Sequence, residues 1–229
     1  MKKLILLLAV WIVSAGCQSK KNSSPELDSS DFVQLHEVIP NITYDIRYFG
    51  SDSFVGAPVD GYEKATAYMT KEAATALKQV QAALNKEGLG LKVFDAYRPQ
   101  KAVDHFMRWG KAVADTLTKA KYYPEIDKSK VFEMGYVARR SGHTRGSTVD
   151  LTIIDLETKE ELDMGSGFDY FGAISHHDSP LVGETHTANR NKLRAVMVAH
   201  GFKPYANEWW HYTLANEPYP ATYFNFDVK

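Results

Sequence analysis

The chain has 229 residues, 44% of them hydrophobic and 24% charged, which is enough apolar material for a sizeable core and excludes wholesale disorder. Its 27 Lys and Arg are balanced by 28 Asp and Glu, a formal net charge of -1, so no electrostatic attraction draws it to nucleic acid or anionic lipid. The expected partner is small.

At the amino terminus, Lys2-Lys3 precede an apolar run from Leu4 to Val13 and then Ser14-Ala15-Gly16-Cys17, the pattern of an export signal over residues 1–16. The run is shorter than the about 20 residues a bilayer-spanning helix needs. Ala15-Gly16-Cys17 looks like a bacterial lipobox, in which Cys17 is lipidated and becomes the new amino terminus; Ser14 stands where Leu is usual, so ordinary signal-peptidase cleavage stays open. Residues 17–31 are polar, lack aromatics and read as a tether. The expectation is an exported protein of the periplasm or cell envelope, touching a bacterial membrane only through a lipid anchor. No cysteine follows Cys17, which excludes a disulfide framework, a thiol nucleophile and a thiolate metal site in the folded part. Any metal there must be held by His, Asp or Glu.

The folded domain is expected over residues 32–229. Ile42, Tyr44, Ile46 and Tyr48 alternate with polar residues, the period of a half-buried strand. Thr70 can cap a helix with Ala73, Ala74, Leu77, Val80, Ala83 and Leu84 on one face, and Gly88 can end it. A strand Leu91–Asp95 runs into Ala96-Tyr97-Arg98-Pro99. Pro99 suits the first turn of a second helix carrying Ala102, Val103, Phe106, Trp109, Val113 and Leu117. Ser147 to Ile154 reads as a strand, Asn189 to His200 as a helix stopped by Gly201, and Trp210 to Leu214 as a late strand. The sum is one α+β domain, a mixed or antiparallel sheet flanked by helices.

Three clusters could carry chemistry. In Ser141-Gly142-His143-Thr144-Arg145-Gly146-Ser147-Thr148-Val149-Asp150, the residue Asp150 either points to solvent or meets His143 as a second metal ligand. In Asn207-Glu208-Trp209-Trp210-His211-Tyr212, the aromatics suit a core, while an imidazole and a carboxylate three positions apart suit metal-assisted hydrolysis. That second reading demands a bend near Glu208, because strand residues three apart face opposite sides. Arg98, at a strand-to-helix junction, either makes a surface ion pair or stabilises a developing oxyanion.

Together, in order and content, these segments resemble the D-alanyl-D-alanine dipeptidases of the vancomycin-resistance type, zinc peptidases related to peptidoglycan D,D-carboxypeptidases. That family carries S-x-H-x-x-G-x-A-x-D, a later E-x-W-H and an earlier Tyr-Arg-Pro, found here as Ser141 to Asp150, Glu208 to His211, and Tyr97-Arg98-Pro99. Leu162-Asp163-Met164-Gly165 and Phe168-Asp169 extend the likeness, which covers most of the chain from about Tyr44; Thr148 replaces the usual Ala. The resemblance implies one Zn2+ per chain held by His143, Asp150 and His211, Glu208 as general acid/base, and Arg98 as transition-state stabiliser. It places Ser141 and Tyr136 at the substrate carboxylate and Asp169 at the free amino terminus of a small dipeptide.

The implied reaction is hydrolysis of D-alanyl-D-alanine or similar small D-amino-acid dipeptides from the cell wall, the D,D preference coming from the resemblance alone. Two other readings are a D,D- or L,D-carboxypeptidase trimming wall peptides and a non-catalytic wall-binding lipoprotein. A rival metal cluster, His176-His177-Asp178 with Glu184 and His186, lacks an accompanying general base, and H-E-x-x-H is absent because His36-Glu37 is followed by Val38-Ile39-Pro40.

Overall fold

A computed structural model describes residues 29–229. The expected signal segment, Cys17 and nearly all of the tether lie outside the described residues. After a short 3-10 turn come β1 (Phe32–Gln34), α1 (Leu35–Val38), β2 (Thr43–Tyr44), β3 (Tyr68–Thr70), α2 (Lys71–Asn85), β4 (Leu89–Asp95), α3 (Gln100–Lys111) and α4 (Lys119–Tyr122). The chain continues through β5 (Thr148–Asp155), α5 (Glu184–Ala199), β6 (Phe202–Tyr205) and β7 (Glu208–Leu214). Strands order as β2-β4-β5-β7-β6 in one sheet, with β2 parallel to β4 and every other pair antiparallel; β1 and β3 form a separate two-stranded ribbon. The α+β class and the mixed sheet follow from this order.

Local chemistry explains the main helices. Thr70 Oγ1 accepts from Ala73 N (3.4 Å) at the start of α2, which buries Leu77, Val80 and Leu84, and Gly88 leaves it at φ +74. Helix α5 begins at Glu184, five residues before the apolar spacing announces it, and buries Leu193 and Met197. Both helices pack on the sheet and on each other. Strand β5 is buried along nearly its whole length, so its Thr148, Asp150 and Thr152 do not face solvent, and Asp150 lines a cavity.

Two expectations are corrected. The alternation at Ile42–Tyr48 is a burial pattern but not a full strand. Only Thr43 and Tyr44 pair, with Lys92 and Val93; Arg47, bonded to the Asp45 carboxylate at 2.7 Å, then opens a 3-10 turn that drives Tyr48 into the core. Helix α3 stops at Lys111, not near Leu117. The Phe132 ring occupies the space beside Gly110, the chain leaves helical geometry at Ala112, and Leu117 is 80% exposed. Pro99 itself precedes α3 in extended backbone and so fixes the entry angle.

Two irregularities set the sheet's register where it matters. Phe94 is an extra residue between Val93, opposite Leu151, and Asp95, opposite Asp150. On the other side Asp150 pairs with His211, while the β6–β7 ladder jumps from Pro204↔Tyr212 to Tyr205↔Glu208 and leaves Trp209-Trp210-His211 without partners on β6. Asp95, Asp150 and His211 therefore lie in one row across three strands, which brings their side chains to one face.

The turn His143–Arg145 between Gly142 and Gly146 is anchored from several directions. Arg145 makes a forked pair with Glu217 (2.8 and 2.8 Å), Phe224 N donates to Thr144 O (3.0 Å) and Thr70 N to Gly146 O (2.8 Å). Gly146 holds φ +83, and a Cβ there would lie 2.2 Å from the Phe32 ring. Gly146→Ala is therefore expected to cost about 2 kcal/mol or more and to lower the thermal midpoint by roughly 5 °C or more, read by calorimetry; an unchanged midpoint would show that the turn is loosely held.

Candidate metal centre

The residues singled out in the sequence converge on one cavity of about 210 Å3, lined among others by Arg98, Tyr136, Ser141, His143, Asp150, Asp169, Glu208 and His211. At its floor His143 Nε2 lies 3.2 Å from Asp150 Oδ2 and 3.3 Å from His211 Nδ1, and His211 Nδ1 lies 3.0 Å from Asp150 Oδ1. The strand pairing Asp150↔His211 supplies one edge of this triangle, and the anchored turn brings His143 to the third corner. Among the described residues this is the only group of three His, Asp or Glu side chains whose ligand atoms gather so closely.

The triangle fits a tetrahedral divalent cation. Bonds of 2.0–2.1 Å place the ligand atoms of a zinc site about 3.3 Å apart; the two imidazole nitrogens stand at that separation, and each lies at a similar distance from one of the two Asp150 oxygens. His143 Nδ1 donates to the Ala96 carbonyl at 2.7 Å, which can only accept, so Nε2 turns its lone pair towards the centre of the triangle. Asp150 Oδ1 is buried with no well-directed donor. Three acceptor atoms packed this closely repel one another unless a cation or a proton lies between them. Two imidazoles and one carboxylate also leave a fourth position open.

Electrostatics separate the carboxylates. Burial pushes the Asp150 carboxyl up, but the charges and hydrogen bonds of His143 and His211 outweigh it and hold it well below the usual range. Glu208 Oε2 lies 3.4 Å from His211 Nδ1. Its carboxyl moves up, because burial and the neighbouring Asp150 charge exceed the pull of His211 and Arg98. Burial likewise raises Asp169 well above its ordinary value, with Asp150 adding to the effect; Tyr48 OH donates to Asp169 Oδ2 at 2.8 Å. Asp169 also sits at φ +60, uncommon for a residue other than Gly.

The bend demanded near Glu208 exists: the three-residue excursion in β7 lets Glu208 and His211 turn to the same side. At Arg98 the expected surface ion pair is corrected in its placement, and the oxyanion role is left to the chemistry proposed below. The arginine does pair with a nearby acid, Asp95, through Nε (2.9 Å) and Nη2 (2.8 Å), yet the pair is buried and not on the surface, and the guanidinium stands 3.7 Å from Asp150 Oδ2. Ser141 and Tyr136 reach the cavity from the loop before His143, Tyr136 stacking on Phe171 at 4.7 Å. The rival cluster does not assemble: His177 is buried against Tyr212, His186 meets Asp163 at 3.1 Å, and Asp178 pairs with Arg194 at 2.9 Å.

Some of the site had no signal in the sequence. Tyr48 stacks on Arg98 at 5.0 Å besides bonding Asp169, and Tyr62 OH donates to Asp95 Oδ1 at 2.6 Å. Each reads as an ordinary core aromatic. Asp95 stood next to the Tyr-Arg-Pro segment, but only the bulge at Phe94 reveals which way it points.

A triad that could hold a metal ion, with an adjacent carboxylate and guanidinium in a small cavity, is the arrangement of a metallohydrolase. Its lineage agrees. The family model for D-Ala-D-Ala dipeptidases, within the M15 peptidases, matches residues 28–229, and the chain belongs to that family. It is 47% identical over 200 residues to the D-alanyl-D-alanine dipeptidase of Streptomyces coelicolor A3(2), covering 87% of this chain and 99% of that protein. The D-alanyl-D-alanine dipeptidase of Enterococcus faecalis V583 is 46% identical over 198 residues, covering 86% and 98%. The Escherichia coli K12 protein of the same description is 33% identical over 196 residues, covering 86% and 89%.

Metal binding should be linked to protons. Burial pulls the His211 imidazole down, but the hydrogen bond and charge of Asp150 and the charge of Glu208 leave it above its ordinary value. A ligand must be deprotonated to bind, so the apparent zinc affinity is expected to fall as pH drops through that raised value, with proton release on binding above neutrality diminishing. Calorimetric titrations with zinc in buffers of different ionisation enthalpy check this; pH-independent affinity between 5 and 8 would remove His211 from the ligand set.

Proposed function

We propose that this protein hydrolyses D-alanyl-D-alanine or closely similar small D-amino-acid dipeptides with one zinc ion per chain. What carries the reading is a single convergence: the His143, Asp150 and His211 triangle, with Glu208 3.4 Å from one corner and Arg98 3.7 Å from another, in a cavity that also holds Asp169. The family and the names of its relatives supply the substrate class.

In this scheme His143 Nε2, His211 Nδ1 and one Asp150 oxygen hold the ion. When bound, zinc supplies Lewis acidity and a more acidic water at neutral pH. Glu208, with its raised proton affinity, takes the proton of the attacking water and delivers it to the leaving amine. The Arg98 guanidinium, held by Asp95 and two aromatic faces, faces the carbonyl oxygen as charge develops there. Asp169, fixed by Tyr48, receives the substrate ammonium, and Ser141 with Tyr136 receives its carboxylate. Gripping both charged ends favours a free dipeptide over a longer chain.

Assaying the purified protein on L,L, L,D and D,D dipeptides, with and without chelator, tests the reading. Hydrolysis confined to D,D dipeptides and abolished by chelator is expected. Cleavage of longer wall peptides would favour a carboxypeptidase, and no cleavage of any peptide would favour a wall-binding role. Glu208→Gln should keep about one zinc and lose hydrolysis by roughly 100-fold or more; retained turnover would remove Glu208 from proton transfer.

We also place the protein outside the cytoplasm, on the strength of Lys2-Lys3, the Leu4–Val13 run and Ala15-Gly16-Cys17. The position of Cys17 at the end of that segment, as in a lipobox, makes a lipid on Cys17 the anchor in this reading. An exported enzyme cannot reach newly made dipeptide in the cytosol, and its substrate would be dipeptide released by wall turnover. Fractionation of cells making the protein should find it with membranes, and Cys17→Ser should release it; parent protein in the cytosolic fraction would overturn this placement.

A further inference from the structure

Asp95 has more contacts than an ordinary partner for an arginine requires. It is 1% exposed, and its Oδ2 accepts from Arg98 Nε at 2.9 Å and lies 2.8 Å from Nη2 of the same guanidinium. Its Oδ1 accepts from Tyr62 OH at 2.6 Å. Tyr62 is itself clamped by the C-terminal segment, where Val228 N donates to Gly61 O and Glu63 N donates to Val228 O, each at 2.8 Å. The flat faces of the guanidinium rest near Tyr48 and Phe106, both ring centres 5.0 Å away.

The competition Arg98 faces makes this arrangement informative. Asp150 Oδ2 is 3.7 Å from Nη2, and Glu208 and Asp169 line the same cavity. A guanidinium free to move among three carboxylates in a poorly solvated space would close on one of them. Closing on Asp150 would draw electron density from a metal ligand; closing on Glu208 would block the general base.

We propose that Asp95 is a positioning residue for the reaction: by engaging one edge of the Arg98 guanidinium, with Tyr62 fixing its second oxygen, it holds Arg98 back from Asp150 and Glu208 and keeps it aimed at the oxyanion. The inference rests on the role given to Arg98 under the proposed function. Asp95 touches no substrate, and all of its effect passes through Arg98. A contact runs the other way as well, since Asp95 Oδ2 is 3.5 Å from His143 Nδ1, but the Ala96 carbonyl, at 2.7 Å, already satisfies that nitrogen.

The test compares Asp95→Asn, Tyr62→Phe, Arg98→Ala and the Asp95→Asn/Arg98→Ala pair, with kcat and KM for D-alanyl-D-alanine and zinc content measured for each. Asp95→Asn is expected to lower kcat by roughly 10- to 100-fold, with KM and zinc content little changed. Tyr62→Phe, which removes one hydroxyl and leaves the ring packing, should lower kcat less, at an unchanged thermal midpoint. The paired variant should be no slower than Arg98→Ala alone, because the two changes act on one element. Full kcat in Asp95→Asn, losses that add in full in the pair, or loss of zinc in Asp95→Asn would each overturn the proposal. A parent protein inactive on every dipeptide would instead contradict the proposed function. The positioning claim then rests on the Arg98 Nε–H resonance, expected to be protected from exchange in the parent and exposed in Asp95→Asn; equal exchange in both would overturn it.

Discussion

Four carboxylates share one small space. Asp150 and Asp169 are buried and Glu208 is half-buried at the same cavity, Asp95 is buried just behind it, and the largely buried Arg98 guanidinium stands among them. Isolated charges of one sign do not survive such burial; they are protonated, paired or neutralised by a cation. The sheet and its loops distribute these answers. Asp95 pairs with Arg98, Asp150 is held ionised by two imidazoles, and Glu208 and Asp169 are pushed towards protonation. A divalent cation at the triangle and an ammonium near Asp169 would complete the balance, which is the electrostatic case for a zinc peptidase acting on a zwitterion.

The backbone achieves this with irregularities in otherwise regular strands. A one-residue bulge at Phe94 and a three-residue excursion before Tyr212 flank β5 and bring Asp95 and His211 level with Asp150. In a regular ladder a one-residue slip would turn Asp95 to the other face of β4. Large aromatics stiffen the surroundings: Phe94 stacks on Phe168 at 4.8 Å, and Phe168 meets Trp210 edge-on at 5.4 Å. Two of these, Phe94 and Trp210, are the displaced residues themselves, so the features that break the ladder also fill the core.

Much of this was legible in the sequence, for identifiable reasons. Helix α2 carries a cap, a clean apolar face and a terminal glycine, and β5 carries a long alternating run, so local signals and tertiary outcome agree. The convergence of Arg98, His143, Asp150, Glu208 and His211 was legible because they sit in three short motifs that have few other joint readings. What escaped depends on the third dimension. The strand expected through Tyr48 ends early because Tyr48 must turn inward to reach Arg98 and Asp169, and the extension of α3 to Leu117 failed because no core exists there to receive its apolar side chains. Strand β6 carries Pro204, which removes a donor and is tolerated because β6 is an edge. Asp95, Tyr62 and Tyr48 look like packing residues until register and hydrogen bonds place them.

Fold, register and charge thus meet in one claim, that His143, Asp150 and His211 close around a single ion. Anomalous diffraction at the zinc edge, from crystals of the folded domain grown with zinc, addresses it most directly. The account predicts one strong peak about 2.0–2.2 Å from His143 Nε2, His211 Nδ1 and an Asp150 oxygen, with a fourth ligand that is not protein. A peak seated elsewhere, such as at His177 or His186, with the triangle left empty, would contradict it.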